Sequence, residues 1–196
     1  VISIEGGKAQ TDYRRGEGTY RAVQEVMERL RERGVLFGVS ITVTTENLHT
    51  VTGDAFIKKL DSQGCRLAFF VEYVPVEESS ELLAPSEAER VILERRQAAL
   101  REAFPEMIFL SFPGDEKHMG GCLAAGRGFF HINAYGAAEA CPFSPYSDRS
   151  LREHTLLEVL DSPFFARLQQ ESLVGGEHDG GCALFQKRAQ VQALLK

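Results

Sequence analysis

Short apolar segments alternate with longer amphipathic segments over the first 112 residues of the chain. The amphipathic segments carry apolar residues three and four positions apart, which is the spacing of a helix with one buried face. Alternation of strands with helices is typical of a parallel α/β sheet built from βα units. The expected strands comprise residues 2–5, 36–44, 66–74 and 107–112.

Local signals predict where the helices between these strands begin and end. Thr19 is a suitable N-cap for the first long helix, and Gly34 a suitable stop. A shorter helix is expected over 52–60, and Ser86 with Glu89 forms an S-x-x-E capping box for the next one. The buried face of that last helix is expected to carry Ala88, Val91, Ile92 and Ala99.

One face of each early strand is polar, which is unusual for buried parallel strands. In a barrel or half barrel, alternate residues of each strand point inward and the loops after the strands carry the site. Two interpretations stay open: the polar face lines a ligand cavity, or small polar side chains fill a tapering interior and hydrogen-bond to one another. The polar positions are Ser3, Glu5, Ser40, Thr42 and Thr44.

The composition changes at Pro113, after which glycines are frequent and no long helical period appears. Residues 128–133 and 137–141 are expected to pair as a hairpin that turns at Tyr135 and Gly136. The predicted fold class is therefore α/β: residues 1–112 form an open partial (β/α) barrel of three βα units. Residues 113–196 form a small α+β domain.

Charge and hydropathy limit the partners. The 196 residues contain 22 Lys and Arg against 28 Asp and Glu, a net charge of −6, which argues against nucleic acid and anionic membranes. The longest apolar runs are far shorter than the roughly 20 residues of a membrane helix. We expect a soluble, cytoplasmic protein whose chain, starting at Val1, lacks its true N-terminus.

The chain contains four cysteines, and three of them lie in glycine-rich turns of the last 80 residues. The cysteines allow four alternatives: two disulfides, buried free thiols, a zinc site or an iron–sulfur site. We favour ligation of a metal or cluster over disulfides and free thiols. Cys122, Cys141 and Cys182 are the candidate ligands, whereas Cys65 is expected to be an ordinary core residue. Three histidines near these thiols keep a mixed Cys/His zinc site open: His118, His131 and His178.

Taken together, these segments resemble the C-terminal part of a radical SAM enzyme that carries a twitch or SPASM-type auxiliary iron–sulfur domain. Residues 1–6 (VISIEG) and 12–20 (DYRRGEGTY) resemble the fourth barrel strand of that family and the start of the following helix. Residues 42–47 (TVTTEN) resemble the end of the fifth strand, and 70–76 (FVEYVPV) the sixth.

The most specific part of the resemblance is Cys122-x13-Gly136-x4-Cys141, which fits the opening of a SPASM domain. Beyond it the sequence offers only Cys182, so that at most one auxiliary cluster fits, as in a twitch domain. The fourth iron position would then fall to His118, Glu116, substrate or water. The C-x3-C-x2-C motif that holds the catalytic cluster in this family is absent, together with the first three strands.

The resemblance also implies roles for the polar positions. Ser3 and Glu5 would face the methionine or ribose end of S-adenosylmethionine, with Thr44 and Asn47 close by. Residues 73–76, and among them Tyr73 and Val74, would lie near the adenine. Arg14 and Arg15 are expected in a loop at the cavity mouth, where they would clamp a carboxylate.

The expected function is that of a radical SAM enzyme fragment that binds an auxiliary iron–sulfur cluster and forms part of the S-adenosylmethionine and substrate cavity. It would be inactive alone. Expected partners are the missing N-terminal half of the barrel, a peptide or small-molecule substrate, and a second copy paired through the exposed edge strand at 2–5. The alternative is a non-catalytic module that binds zinc or an iron–sulfur cluster, or that docks a partner.

Overall fold

The structure is a computed structural model that describes residues 1–75, 78–175 and 182–195. The chain divides into two compact units, Val1–Gly114 (unit 1) and Asp115–Lys196 (unit 2). The change of composition in the sequence predicts a boundary between residues 112 and 113. Within the described ranges, no helix is long and apolar enough to cross a lipid bilayer.

Unit 1 is a parallel sheet with strand order β1-β2-β3-β4 and helices in its crossovers, which confirms the predicted fold class. All the pairings between neighbouring strands are parallel. The strands are β1 (Ile2–Ser3), β2 (Gly38–Val43), β3 (Leu67–Glu72) and β4 (Ile108–Phe112). The helices are α1 (Lys8–Arg15), α2 (Thr19–Glu32), α3 (Leu48–Val51), α4 (Asp54–Ser62) and α5 (Glu87–Ala103).

The register of the sheet separates two faces. One row of side chains belongs to the buried core of unit 1 and runs through Ile2, Val39, Ala68 and Phe109. The next row lies on the opposite, more exposed face and runs through Ser3, Ser40, Phe69 and Leu110. The polar face predicted for the early strands is present in β1 and β2, but it becomes apolar in β3 and β4.

Two predicted helix ends differ from the observed ones. Thr19 is the first residue of α2 and not its N-cap; the cap is Gly18, whose φ of 84° suits glycine. The Thr19 hydroxyl instead donates to the Arg15 carbonyl at 3.1 Å. The helix expected over 52–60 is α4, which begins and ends two residues later than predicted, and the short helix α3 before it was not predicted.

The capping box of Ser86 and Glu89 is confirmed at the start of α5. The predicted buried face of this helix is wrong, because all four of the residues assigned to it (Ala88, Val91, Ile92 and Ala99) are exposed. The buried stripe is Leu93, Gln97 and Leu100. Leu93 and Leu100 belong to the core cluster that contains residues of the strands, so this face of the helix packs against the sheet.

Unit 2 contains a short antiparallel hairpin and four short helices among its described residues. The hairpin pairs β5 (His131–Ile132) with β6 (Ala138–Glu139), and Gly136 adopts a φ of 85° in the turn, as the sequence predicts. Both strands of the hairpin are shorter than the expected segments 128–133 and 137–141. The helices are α6 (Leu156–Leu160), α7 (Pro163–Gln170), α8 (Ala183–Gln186) and α9 (Arg188–Ala193), and buried residues from three of them are Phe165, Leu184 and Val191.

A glycine at the start of β2 permits the close approach of β3. A Cβ at Gly38 would lie 2.5 Å from the Leu67 Cβ and 2.8 Å from the Leu67 carbonyl oxygen. Since that backbone oxygen moves only with its strand, Gly38→Ala is expected to lower the free energy of unfolding by about 1–3 kcal/mol. Urea unfolding followed by circular dichroism measures this loss.

Gly7→Ala is the matched control, because its Cβ would meet only the flexible end of the Gln10 side chain, at 3.2 Å. Its loss of stability is expected to stay below about 1 kcal/mol, because it arises only from the poorer N-cap propensity of Ala at the start of α1. Equal midpoints for the Gly38 and Gly7 variants would contradict the close approach of β2 and β3.

Candidate functional site

The ends of β1 and β2 are joined by the side chain of Asn47, which is buried. Its amide nitrogen donates to the carbonyl oxygens of Glu5 at 3.1 Å and Thr42 at 2.9 Å. Its amide oxygen accepts from the Thr44 backbone N–H at 2.8 Å. Every one of these partners is a backbone group, so a single side chain ties three points of the main chain together and fixes the shape of this edge of the sheet.

Glu5 is only 1% exposed, and two arginines neutralise its carboxylate. Arg14 Nη1 lies 3.2 Å from Oε2, while Arg15 Nη2 and Nε lie 2.5 and 2.7 Å from Oε1. The Glu5 backbone N–H donates to the Thr11 hydroxyl at 3.2 Å. Both arginines belong to the last turn of α1 rather than to a loop, which corrects the expectation from the sequence.

Arg14 also reaches the end of β3, because its guanidinium carbon lies 5.3 Å from the centre of the Tyr73 ring. The Tyr73 backbone N–H donates to the Val43 carbonyl at 2.9 Å, and Val74 is buried. The structure thus brings Glu5, Asn47 and Tyr73 to the carboxyl ends of adjacent strands. Of the segment assigned to the adenine, Val76 lies outside the described residues.

Around Glu5 the positive charge exceeds the negative charge, because two guanidinium groups share one carboxylate. The side chains of Arg14 and Arg15 are 35% and 33% exposed and share one buried carboxylate. Guanidinium groups bind carboxylates and phosphates through paired hydrogen bonds, and ligands of parallel α/β folds bind at the carboxyl ends of the strands. The arrangement can therefore receive an anionic group. Ser3 lies exposed on the same sheet face as Ser40.

All four cysteines are free thiols. Cys65 lies in the core of unit 1, where its Sγ–H donates to the Leu67 carbonyl at 3.2 Å, as expected for a structural residue. The other three belong to unit 2. Cys122 and Cys141 are buried, and Cys182 is partly buried.

The loop of Cys122 is tied to a short 3-10 turn, Gly114–Met119. Glu116 is buried in this turn, and its Oε1 accepts from the Leu123 backbone N–H at 3.0 Å. The Gly121 N–H donates to the Glu116 carbonyl at 2.9 Å. Side chain and backbone of Glu116 therefore both hold the residues that flank Cys122.

The other two cysteines, Cys141 and Cys182, lie next to the ends of a strand and of a helix. Cys141 follows β6, and its carbonyl accepts from the backbone N–H of Ser144, which is buried, at 2.9 Å. Cys182 is the N-cap of α8, where its sulfur accepts from the Phe185 N–H at 3.4 Å.

Burial raises the pKa of Cys122 and of Cys141 to about 12, and it also raises the pKa of Cys182. Negative charge adds to this effect: Glu116 raises the pKa of each of the three thiols, and Cys182 raises that of the other two.

Within the described ranges, no three His, Cys, Asp or Glu side chains stand in an arrangement that could hold a metal ion. The donor set nevertheless fits a soft metal, because thiolates are the ligands of zinc and of iron–sulfur clusters. His118 is exposed, and His178 lies outside the described residues. His131 Nδ1 lies 2.9 Å from Glu139 Oε2.

Two features of unit 2 were missed from the sequence. Arg127 donates through Nη1 to the Cys122 carbonyl and through Nη2 to that of Gly120, the latter at 3.2 Å, and no spacing signals such a contact. The pair of His131 and Glu139 was predictable, because a hairpin centred on Tyr135 places these residues opposite each other.

Comparison with solved structures relates the fold to the radical SAM enzymes. SuiB of Streptococcus suis matches 86% of this chain with a TM-score of 0.66 and 12% sequence identity. anSMEcpe, in its native form with bound AdoMet (S-adenosylmethionine) and the Cp18Cys peptide, matches 82% of the chain with a TM-score of 0.57 and 14% identity. At these identities the likeness concerns the fold.

The chain spans 44% of the SuiB chain and 50% of the anSMEcpe chain. No protein-family model matches the sequence, and no curated protein matches it either.

Replacing Glu5 by Gln is expected to destabilise the protein by about 2 kcal/mol, because it leaves two arginines at a buried neutral group. The loss is smaller than for a fully buried ion pair, since solvent reaches both arginines. Glu25→Gln is the control: Glu25 pairs with Arg21 at 2.9 Å on the exposed face of α2, and its loss should cost under about 0.5 kcal/mol. Equal unfolding free energies would contradict the role of Glu5.

The thiols predict a loss of stability at alkaline pH. The unfolded chain releases the protons of Cys122 and Cys141 near their ordinary pKa of 9.0, whereas the folded chain holds them up to a pKa of about 12. Their contribution to stability is full below pH 9 and falls as the pH rises towards 12, by up to about 1.4 kcal/mol per pH unit for each thiol.

Urea unfolding of the metal-free protein at pH 8, 9 and 10 tests this dependence. Cys141→Ser is expected to make the decline shallower than in the wild type. An unchanged decline would show that the Cys141 thiol is not protected from ionisation in the folded state.

Proposed function

We propose that this chain is the C-terminal part of a radical SAM enzyme. On this proposal it contributes part of the S-adenosylmethionine and substrate cavity and binds one auxiliary iron–sulfur cluster in a twitch or SPASM-like unit 2. The observation that carries the proposal is a fold like that of radical SAM enzymes, together with three free thiols in the loops and helix ends of unit 2.

The cavity would lie at the carboxyl ends of the strands in unit 1. Ser3, Glu5, Thr44, Asn47, Tyr73 and Val74 are the residues assigned to S-adenosylmethionine. The contacts refine these assignments. Glu5 and Asn47 position the site, because they hold the arginines and the strand ends, while the partly exposed Arg14 and Arg15 meet the carboxylate of the ligand. In support, anSMEcpe is a fold neighbour with bound AdoMet.

Cys122, Cys141 and Cys182 would hold the cluster. A bound cluster supplies a one-electron carrier or a binding position for substrate. The protein would contribute the sulfurs of two buried cysteines and one partly buried cysteine, and backbone hydrogen bonds that hold the loops. Arg127 anchors the Cys122 loop through two carbonyl oxygens, and its positive charge lowers the pKa of the Cys122 thiol against the larger effect of burial.

Catalysis would require the preceding half of the barrel, because the C-x3-C-x2-C motif is absent from this sequence. That half is the proposed partner of the open sheet, with a peptide or a small molecule as substrate. A peptide is supported by the Cp18Cys peptide bound to anSMEcpe. A second copy pairing with β1 is a further proposed partner. Four free cysteines agree with a reducing, cytoplasmic setting.

Anaerobic reconstitution with ferrous iron and sulfide tests this function. The wild type is expected to take up iron and sulfide and to show the visible absorption of a thiolate-bound cluster. Cys141→Ser should reduce both the absorption and the bound iron severalfold. Cys65→Ser, a buried cysteine of the other unit, is the matched control and should retain both.

An alternative function, a structural metal module, gives a different result. Uptake of one zinc without uptake of iron would support that module and contradict the cluster. Loss of absorption in the Cys65 variant, to the same extent as in the Cys141 variant, would contradict the assignment of the ligands.

A further inference from the structure

The 17-residue helix α5 carries apolar side chains on its exposed side as well as on its buried side. Five apolar residues of the exposed side follow one another along the helix, and we call them the outer stripe: Ala88, Val91, Ile92, Ala98 and Ala99. Val91 and Ile92 are 43% and 36% exposed. A row of apolar side chains at spacings of three and four residues is typical of a helix face that packs on another surface.

The outer stripe is more apolar than the stripe that α5 buries. The buried stripe consists of Leu93, Gln97 and Leu100, and the Gln97 Nε2 atom has no hydrogen-bond partner among the described residues. The exposed side of α2 is an ordinary solvated face in comparison, because it carries charged side chains such as the ion pair of Arg21 and Glu25. An apolar stripe of this length on the surface therefore indicates an interaction site.

We propose that the outer stripe binds the outer stripe of a second copy of this chain, with the two α5 helices antiparallel. The large side chains, Val91 and Ile92, lie in the first half of the stripe, and the small ones, Ala98 and Ala99, lie in the second half. A twofold axis between antiparallel helices places the large half of each copy against the small half of the other. Parallel helices would place large against large and leave a gap between the alanines, which loses packing contacts.

The charges of α5 favour the same arrangement. Residues 87–94 contain three glutamates and one arginine, whereas residues 95–103 contain three arginines and one glutamate. In an antiparallel pair the acidic half of each copy lies beside the basic half of the other, and the two helix dipoles are also opposed. Arg95 lies in the middle of the stripe, where its aliphatic stem can cover apolar surface while the guanidinium group reaches the solvated edge.

This contact lies away from the candidate ligand edge and from β1. Leu93 and Leu100 belong to the core cluster on one face of the sheet, so α5 covers that face and not the opposite, partly polar face. Arg101 Nη2 donates to the Phe109 carbonyl in β4 at 3.0 Å, and β1 is the other edge of the sheet. Pairing through α5 therefore depends neither on the proposed function nor on pairing through β1.

Sedimentation equilibrium of the full chain under reducing conditions, from micromolar to millimolar concentrations, tests this pairing. One pair of helices of this length is a small interface, so we expect a monomer–dimer equilibrium with a dissociation constant in the micromolar range or above. Val91→Glu would bury a charge against the apolar stripe and should raise that constant about tenfold or more.

Val26→Glu is the matched control. Val26 is also a helical valine and is 42% exposed, but it lies beside Glu25 on the charged exposed side of α2. This variant should leave the dissociation constant unchanged. Circular dichroism checks that both variants keep the helix content of the wild type, and Ala98→Glu, at the other end of the stripe, provides a second test if Val91→Glu folds poorly.

Added sodium chloride tests the antiparallel orientation. Salt screens the attraction between the acidic and basic halves, so the dissociation constant of an antiparallel pair should rise with ionic strength. In a parallel pair like charges would face each other, and salt would lower the constant.

Three results would overturn the inference. A monomer at every concentration would show that the outer stripe does not bind a second copy. A dimer that Val91→Glu and Ala98→Glu weaken no more than Val26→Glu does would show that the chain pairs through another surface. A dissociation constant that falls as salt is added would contradict the antiparallel orientation.

Discussion

Parallel pairing of β1 with β2 and of β2 with β3 brings the carboxyl ends of these strands to one edge, and this edge determines which polar groups of unit 1 meet. At this edge the Asn47 side chain donates a hydrogen bond to the backbone beyond the last paired residues of β1. Glu5 forms ion pairs with Arg14 and Arg15. The position of this edge thus follows from the topology, because the carboxyl ends of neighbouring parallel strands lie side by side.

Successive side chains along each strand point to opposite faces of the sheet, and the two faces have different surroundings. One face buries aliphatic and aromatic side chains under the helices of unit 1. The opposite face changes from Ser3 and Ser40 to Phe69 and Leu110 across the strands, and Leu110 is 43% exposed. This face is therefore polar on β1 and β2 and apolar on β3 and β4, so that its two halves differ in the groups they present.

Most elements of unit 1 were predictable from local signals, namely the hydrophobic periodicity of strands and helices and the capping box at Ser86. The turn at Gly136 in unit 2 was predictable from a local signal too. The buried face of α5 was not predictable in this way, since Val91 and Leu93 are similarly apolar and only packing selects between them. The ion pairs of Glu5 and the hydrogen bonds of Arg127 could not be predicted, because the distance between two residues in the sequence does not determine where their side chains point. The cysteine spacing indicated candidate ligands, with Glu116 among them, but not that the Glu116 side chain is buried.

Burial and the negative charge of Glu116 both raise the pKa of the three thiols in unit 2, so the protonated thiols are favoured over the thiolates. Burial already disfavours each thiolate, and every additional negative charge increases the cost for the next. Arg127 supplies one compensating charge near Cys122, which is too little for three sulfurs and a carboxylate. On its own, unit 2 therefore keeps these thiols protonated at neutral pH.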